Sequence, residues 1–152
     1  MNLLGNMSVE AFKSQYPYLY YPDLGGDSTI KSDLEYITHH WADLSFDPWE
    51  ESYAFGHFFN SIAQREALTI GAKLARKLDD PGAADWYDLH VKEINNHLKL
   101  FWNQDDTYIR CTVGHEHGVE WKTNNLDTSV IIAVLFANST SPEDPYSICT
   151  AI

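Results

Sequence analysis

Glu50 and Glu51 stand side by side after Trp49 and ahead of an aromatic run made by Tyr53, Phe55, Phe58 and Phe59. Adjacent glutamates following a proline, Pro48, can be the acidic first turn of a helix, stabilised by its macrodipole. They can also be working carboxyls. A carboxyl against aromatic walls is desolvated, its pKa rises, and it becomes able to donate a proton at neutral pH. Glycosidic bond cleavage needs such an acid to protonate the leaving oxygen, and a neighbouring tryptophan offers a stacking face for a sugar ring.

Other groups suggest less chemistry. His115-Glu116-His117 has two imidazoles at i, i+2, which share a face only on a strand, and no third ligand is evident, so solvated loop histidines are expected rather than a metal site. His39 and His40 are expected to complement the C-terminal dipole of a helix. Cys111 lies in no nucleophile motif and reads as an idle or buried thiol. With Cys149 it makes two cysteines, which can pair in an oxidising compartment but form no disulfide framework. Phosphate-binding glycine loops, zinc spacings and Gly-x-Ser-x-Gly elbows are absent from the sequence, and no cofactor is expected.

Composition narrows the partners. The 152 residues fit one domain, 44% are hydrophobic and 14% aromatic, enough for a packed core. The formal charge of -12, from 22 acidic and 10 basic residues, repels phosphate backbones and anionic lipid. Nucleic acid and membrane surfaces are therefore poor partners, whereas a neutral sugar is not. No apolar run of about 18 residues predicts a membrane span, and the opening MNLLGNMSVE lacks the basic and apolar regions of a secretory signal. Asn6-Met7-Ser8 and Asn138-Ser139-Thr140 fit the N-glycosylation pattern, which matters only for a secreted protein.

Helices must position these groups. Residues 1–27, with Pro17, Pro22 and Gly25-Gly26, read as irregular. Ser28 starts a helix to about Trp41 on the stripe Ile30, Leu34, Ile37 and Trp41. A second is expected over 55–78, with Phe59, Ile62, Ala63, Ala67, Ile70, Leu74 and Leu78 on one side. Asp79-Asp80-Pro81-Gly82 turns the chain into a third, near 83–101, with Trp86, Leu89, Ile94, Leu98 and Phe101 as its apolar set. A short strand is expected around Tyr108–Val113, then a glycine-rich loop. The helix over 126–136 is almost wholly apolar and is predicted to be buried. Long helices with functional loops at their ends recur in helical-hairpin barrels.

The stretch IKSDLEYITHHWADLSFDPWEE resembles the fungal glucoamylases of glycoside hydrolase family 15, through Ile30-Lys31, Asp33-Leu34, Tyr36, Trp41, Asp47, Trp49, Glu50 and Glu51. GHFFNSIAQREALTIGAKLA and NNLDTSVIIAVL are similar to two further segments of that family, in the same order. The resemblance is strongest over 30–137. It implies an all-α fold, an incomplete portion of an (α/α)6 helical barrel, with residues 1–152 a fragment of the catalytic domain. It implies inverting exo-hydrolysis of α-1,4-linked glucose from starch-like glucans, and secretion. Glu50 then matches the general acid and Glu51 a ligand of sugar hydroxyls. Trp41 and Trp49 would line the glucose pocket, and Asp47 would support the site. Pro48 stands where the family usually has leucine, Ser52 where it has an aliphatic residue, and the link from Glu51 to Phe58-Phe59 is one residue longer. The family's barrel is about three times this length, and its catalytic base lies in a downstream motif not found here. A truncated, inactive remnant or a sugar-binding relic is the alternative, and apolar helix faces without partners are expected to self-associate.

Overall fold

The computed structural model describes residues 7–20, 28–105, 107–137 and 144–146. Pro22, Gly25-Gly26, Cys149 and the Asn138 tripeptide lie outside them, as does Asn6. The described chain forms α1 (Val9–Gln15), α2 (Thr29–His40), β1 (Ser45–Phe46), β2 (Tyr53–His57), α3 (Phe58–Lys77) and α4 (Pro81–Leu98). A single 3-10 turn (Lys99–Phe101) follows, then β3 (Trp102–Asn103), β4 (Tyr108–Ile109), β5 (Thr112–His117) and α5 (Thr128–Ala137). The helical character expected from the stripes holds, and the strands occupy the connections. The chain divides into two compact units, Met1–His40 with Ala67–Glu93, and Trp41–Glu66 with Ile94–Ile152.

The first unit is held by helix packing and one buried charge pair. The irregular reading of its start is corrected by α1: Ser8 accepts the Ala11 N–H at 3.1 Å, a side-chain N-cap, and Phe12 is buried. In α2 the buried positions are Lys31, Leu34 and Thr38; of the expected stripe Leu34 is buried and Ile30, Ile37 and Trp41 are half-buried, while Lys31 is buried because it finds a partner. Its Nζ lies 2.7 Å from Asp80 Oδ2, which also accepts Tyr20 Oη at 2.9 Å. Leu34 packs where Gly71 leaves room; a Cβ there would come within 2.7 Å of both leucine methyls. In the first part of α4, Tyr87 is fully buried and donates its hydroxyl to Glu35 Oε1 at 2.9 Å. The buried row of α4 runs through Ala84, Tyr87, His90 and Ile94, so Trp86 and Leu89, expected in the core, are instead exposed. Trp86 still gives its indole N–H to Thr38 Oγ1 at 3.2 Å.

The Lys31–Asp80 pair makes acid stability predictable. Burial pushes the Asp80 carboxyl up, but hydrogen bonds from Lys31, Tyr20 and the Ala83 N–H outweigh this and hold it below its ordinary value. A carboxyl depressed in the fold stabilises it fully above its unfolded pKa, about 3.9, and loses that contribution as pH falls through the folded value. Thermal melts are expected to show Tm steady from neutral pH to about 5 and falling below about 4. Asp80→Asn should lower Tm at neutral pH and make the acid limb shallower; an unaltered acid limb would count against this account.

The second unit carries the sheet. Strands run in the order β1-β2-β5, antiparallel throughout, with Ser45 opposite Ala54 and Gly56 opposite Val113. Tyr53 faces His117 and Ala54 faces His115, so Glu116 is the extra residue of a bulge. The segment expected to begin a helix at Phe55 is a strand up to His57. Its alternation is strand-like, with Ala54 and Gly56 buried and Phe55 exposed. Gly56 sits in a crowded place: a Cβ would lie 2.7 Å from His97 Nε2 and 3.0 Å from Val113 Cγ2, so a side chain would have to shift. Phe58 is fully buried, edge-on to Phe101 at 5.6 Å and Tyr146 at 5.4 Å. Along α3 the buried residues are Phe58, Ser61, Ile62, Arg65, Leu68, Gly71, Ala72, Leu74 and Ala75, and Leu78 just after it is buried too; Phe59, Ala63, Ala67 and Ile70 of the expected stripe are only half-buried. Arg65 is satisfied by a fork onto Asp144 at 3.1 and 2.9 Å and by Glu66.

The expectation for the last helix is overturned. In α5 only Ser129 and Ala133 are buried, while Ile131, Leu135 and Phe136 are 63%, 60% and 60% exposed. An open apolar groove of about 770 Å³ runs beside it, bordered by Trp102, Tyr108, Ile109 and Val134. Apolar composition states what a helix gains by burial; the partner surface is not among the described residues.

Candidate active site

The acid-bearing loop is a hairpin connection from β1 to β2, built by Asp47. Glu50 N–H bonds to the Asp47 carbonyl at 3.0 Å, a β-turn over 47–50, and Asp47 N–H closes the loop on the Ser52 carbonyl at 3.0 Å. Aspartate and proline suit the first two positions of such a turn, which explains Pro48 locally. The Asp47 Oδ1 then accepts the N–H groups of Glu51 and Ser52 at 2.7 and 2.9 Å. Between them Glu50 takes φ 59°, a left-handed conformation that costs a non-glycine residue about 1–3 kcal/mol and persists only where neighbours over-determine it. The four bonds around Asp47 do so.

The turn is held from the far side of β5. Gly118 has φ 88°, and a Cβ there would lie 2.1 Å from the Glu51 carbonyl oxygen, so only glycine lets the two backbones meet. Asp127, at the start of α5, accepts the Trp49 indole N–H at 2.9 Å and the Ser129 N–H at 2.7 Å on the same oxygen, while Lys122 bonds its other oxygen. Burial pushes the Asp127 carboxyl up, but Lys122, Trp49 and Ser129 together hold it well below the usual carboxylate range. Lys122 is lowered by burial and raised further by Asp127, with a net shift upward.

His57 ties the three strands together. Its Nε2 lies 3.0 Å from the Ser45 carbonyl, which can only accept, so this nitrogen carries the proton; Nδ1, 3.1 Å from Thr112 Oγ1, then accepts the hydroxyl. Burial lowers its pKa, in keeping with that neutral tautomer. A polar cleft of about 190 Å³ opens among these groups, walled by Asp47, Glu51, Ser52, His57, Lys122 and Asp127. Ser52 Oγ is buried and has no hydrogen-bond partner among the described residues. Beside the turn, Phe46, Tyr53 and His117 form a cross-strand row, with ring centroids 5.0 and 4.9 Å apart.

Residues 13–147 match the family described as Glycosyl hydrolases family 15. The chain belongs to that family. Among curated relatives it is 31% identical to a glucoamylase of Blastobotrys adeninivorans over 70% of this chain and 16% of that one. It is 30% identical to a probable glucoamylase of Schizosaccharomyces pombe over 72% of this chain and 23% of that one. With glucoamylase 1 of Rhizopus oryzae the identity is 31% over 77% and 18%. The chain thus spans less than a quarter of each of these three relatives. Among solved structures, a glucoamylase of Saccharomycopsis fibuligera aligns with TM-score 0.66 and 24% identity, over 91% of this chain and 31% of that one. That likeness concerns the fold: the neighbour is an (α/α)6 barrel and this family 15 chain is a partial piece of one.

Within that family frame the structure brings some of the sequence-derived residues together and separates others. Asp47, Trp49, Glu50 and Glu51 share one turn. Glu51 faces the cleft, while Glu50 is exposed and not on its wall. The desolvation expected around Glu50 is not supplied by the described residues. Trp49 is 46% exposed, its indole edge fixed and the rest of the ring open to solvent. Trp41 is half-buried and edge-on to His97 at 5.7 Å, away from the cleft wall. His115 and His117 fall on β5 rather than in a loop, both exposed; His39 and His40 do end α2. Cys111 is a half-buried free thiol whose pKa burial raises. Sequence reasoning missed His57, Gly118, Lys122 and Asp127 as parts of the site. His57 and Asp127 lay inside quoted family-like segments, and glycine at 118 was the one signal for a close backbone approach.

Proposed function

We propose that this chain supplies the general-acid part of a glucoamylase site, in which α-1,4-linked glucose is released from starch-like glucans with inversion. Glu50 is the proton donor, Glu51 holds a sugar hydroxyl, Trp49 and Trp41 are walls for the sugar, and Asp47 supports the turn. The observation that carries the reading is the Asp47 cage. It keeps two successive glutamates and a tryptophan in one strained, over-determined turn, an expense of structure expected where geometry matters to chemistry. The net charge of -12 does not exclude a neutral glucan. A relic that binds sugar without turning it over is favoured by one fact, the exposure of Glu50.

A transplant separates the two. Residues 30–137 replace the matching segment of an active full-length glucoamylase, folding is checked by circular dichroism, and glucose release from maltose is measured. The hybrid is expected to turn over. A folded hybrid that binds substrate or an inhibitory analogue and releases no glucose would leave only the relic reading.

A further inference from the structure

Trp49 could rotate freely on an exposed turn, yet its indole is pinned. Its Nε1 gives a 2.9 Å bond to Asp127 Oδ1 across 78 residues of sequence. The same oxygen caps α5 through Ser129 N–H at 2.7 Å, and the other oxygen is taken by Lys122. The three bonds share one carboxylate and fix its rotamer, so the indole it accepts is held to the start of α5. Trp49 precedes Glu50 directly, so fixing the ring fixes the peptide that leads into the left-handed residue. Charge-assisted bonds of this kind are about twice as strong as neutral ones.

We propose that Asp127 is a positioning residue of this site: from the N-cap of α5 it holds the Trp49 indole, and through it the turn that presents Glu50. The catalytic consequence rests on the reading of Glu50 as general acid, while the anchoring itself does not. Asp127 touches no substrate in this account. Serine at this position still caps a helix but is too short to reach the indole, so Asp127→Ser separates holding from capping. Asp127→Asn keeps the acceptor oxygen and removes only the charge.

The first arm uses the isotope-labelled chain and NMR, with the Trp49 indole signal assigned by its loss in Trp49→Phe. Asp127→Ser is expected to move that signal toward a free indole and speed its hydrogen exchange about 10- to 100-fold; Asp127→Asn should stay near wild type. An unmoved Trp49 signal in Asp127→Ser overturns the anchoring. The second arm measures kcat in a full-length family 15 enzyme carrying residues 30–137. Asp127→Ser is expected to lower kcat about 10- to 100-fold, the effect of a small misplacement of the acid, and to raise KM no more than Trp49→Phe does, because it frees a ring that also borders the sugar. In the Trp49→Phe background the same substitution should add almost nothing, because the two residues act through one bond. Trp49→Phe leaves the cap intact, so independent, additive losses would overturn the proposal. If instead Glu50→Gln leaves kcat unchanged, the general-acid reading fails and the NMR arm still decides the anchoring.

Discussion

Glu50→Gln, in a full-length family 15 enzyme carrying residues 30–137 of this chain, is expected to lower kcat by about 10²- to 10⁴-fold and to leave KM close to wild type. Glutamine keeps the volume and the hydrogen-bonding reach of the side chain but has no proton to give to the leaving glycosidic oxygen. The ground-state complex draws on Glu51 and the tryptophans, which are untouched, so the loss should fall on the step and not on binding. Glu51→Gln provides the contrast, because a residue that holds a substrate hydroxyl should raise KM as well. Steady-state rates on maltose, with substrate titrated above KM, resolve the two patterns. A kcat unchanged by Glu50→Gln would sink the assignment. If Glu51→Gln instead produced the pure kcat loss, the roles would be exchanged.

Long periodic helices were legible because their stripes follow from side-chain spacing alone. Ile62 and Leu74 of α3, Leu78 just after it, and Ile94, Leu98 and Phe101 after the turn at Asp80 are buried as such spacing demands. The errors have local causes. Trp86 and Leu89 are large and apolar, but the buried row of α4 runs through Ala84, Tyr87, His90 and Ile94, where Tyr87 also finds Glu35 for its hydroxyl. Lys31 and Arg65 are charged and yet buried, because Asp80 and Asp144 are brought to them by the fold over 49 and 79 residues of sequence. The β2 segment has aromatic spacing that imitates a helix, and only the small residues Ala54 and Gly56 betray alternation. In the site, the order Asp-Pro-Trp-Glu-Glu was readable, and with it the turn. The contacts that hold that turn come from Gly118 and Asp127, and no local rule links position 49 to position 127. Burial of Glu50 was expected from the chemistry of a general acid; the exposed carboxyl shows that a residue's required environment is not evidence that its own segment provides it.

The 152-residue chain by itself is expected to release no measurable glucose from maltose or starch. Inversion needs an acid and a base on opposite faces of the sugar, about 6.5–9.5 Å apart with a water between them. Glu50 is the proposed acid. Of the carboxylates near it, Glu51 is its sequence neighbour and the proposed sugar ligand. Asp47 is committed to the backbone of Glu51 and Ser52, Asp127 to Trp49, Lys122 and Ser129, and Glu120, also on the cleft wall, accepts the Gly118 N–H. None of them is left to activate a water on the far face. Glu50 is also solvent-exposed, so neither water exclusion nor a fixed sugar orientation is provided, and a misplacement of about 1 Å alone costs about 100-fold. The exposed Ile131, Leu135 and Phe136 of α5, beside the open apolar groove, give a further expectation: contiguous apolar surface of this kind drives association, so the chain should elute from a sizing column above its monomer mass of 17.4 kDa. Leu135→Glu should shift the elution toward the monomer while leaving the helical circular dichroism signal in place. A monomeric, folded chain that releases glucose, with the activity lost in Glu50→Gln, would refute the need for a separate base while upholding the acid.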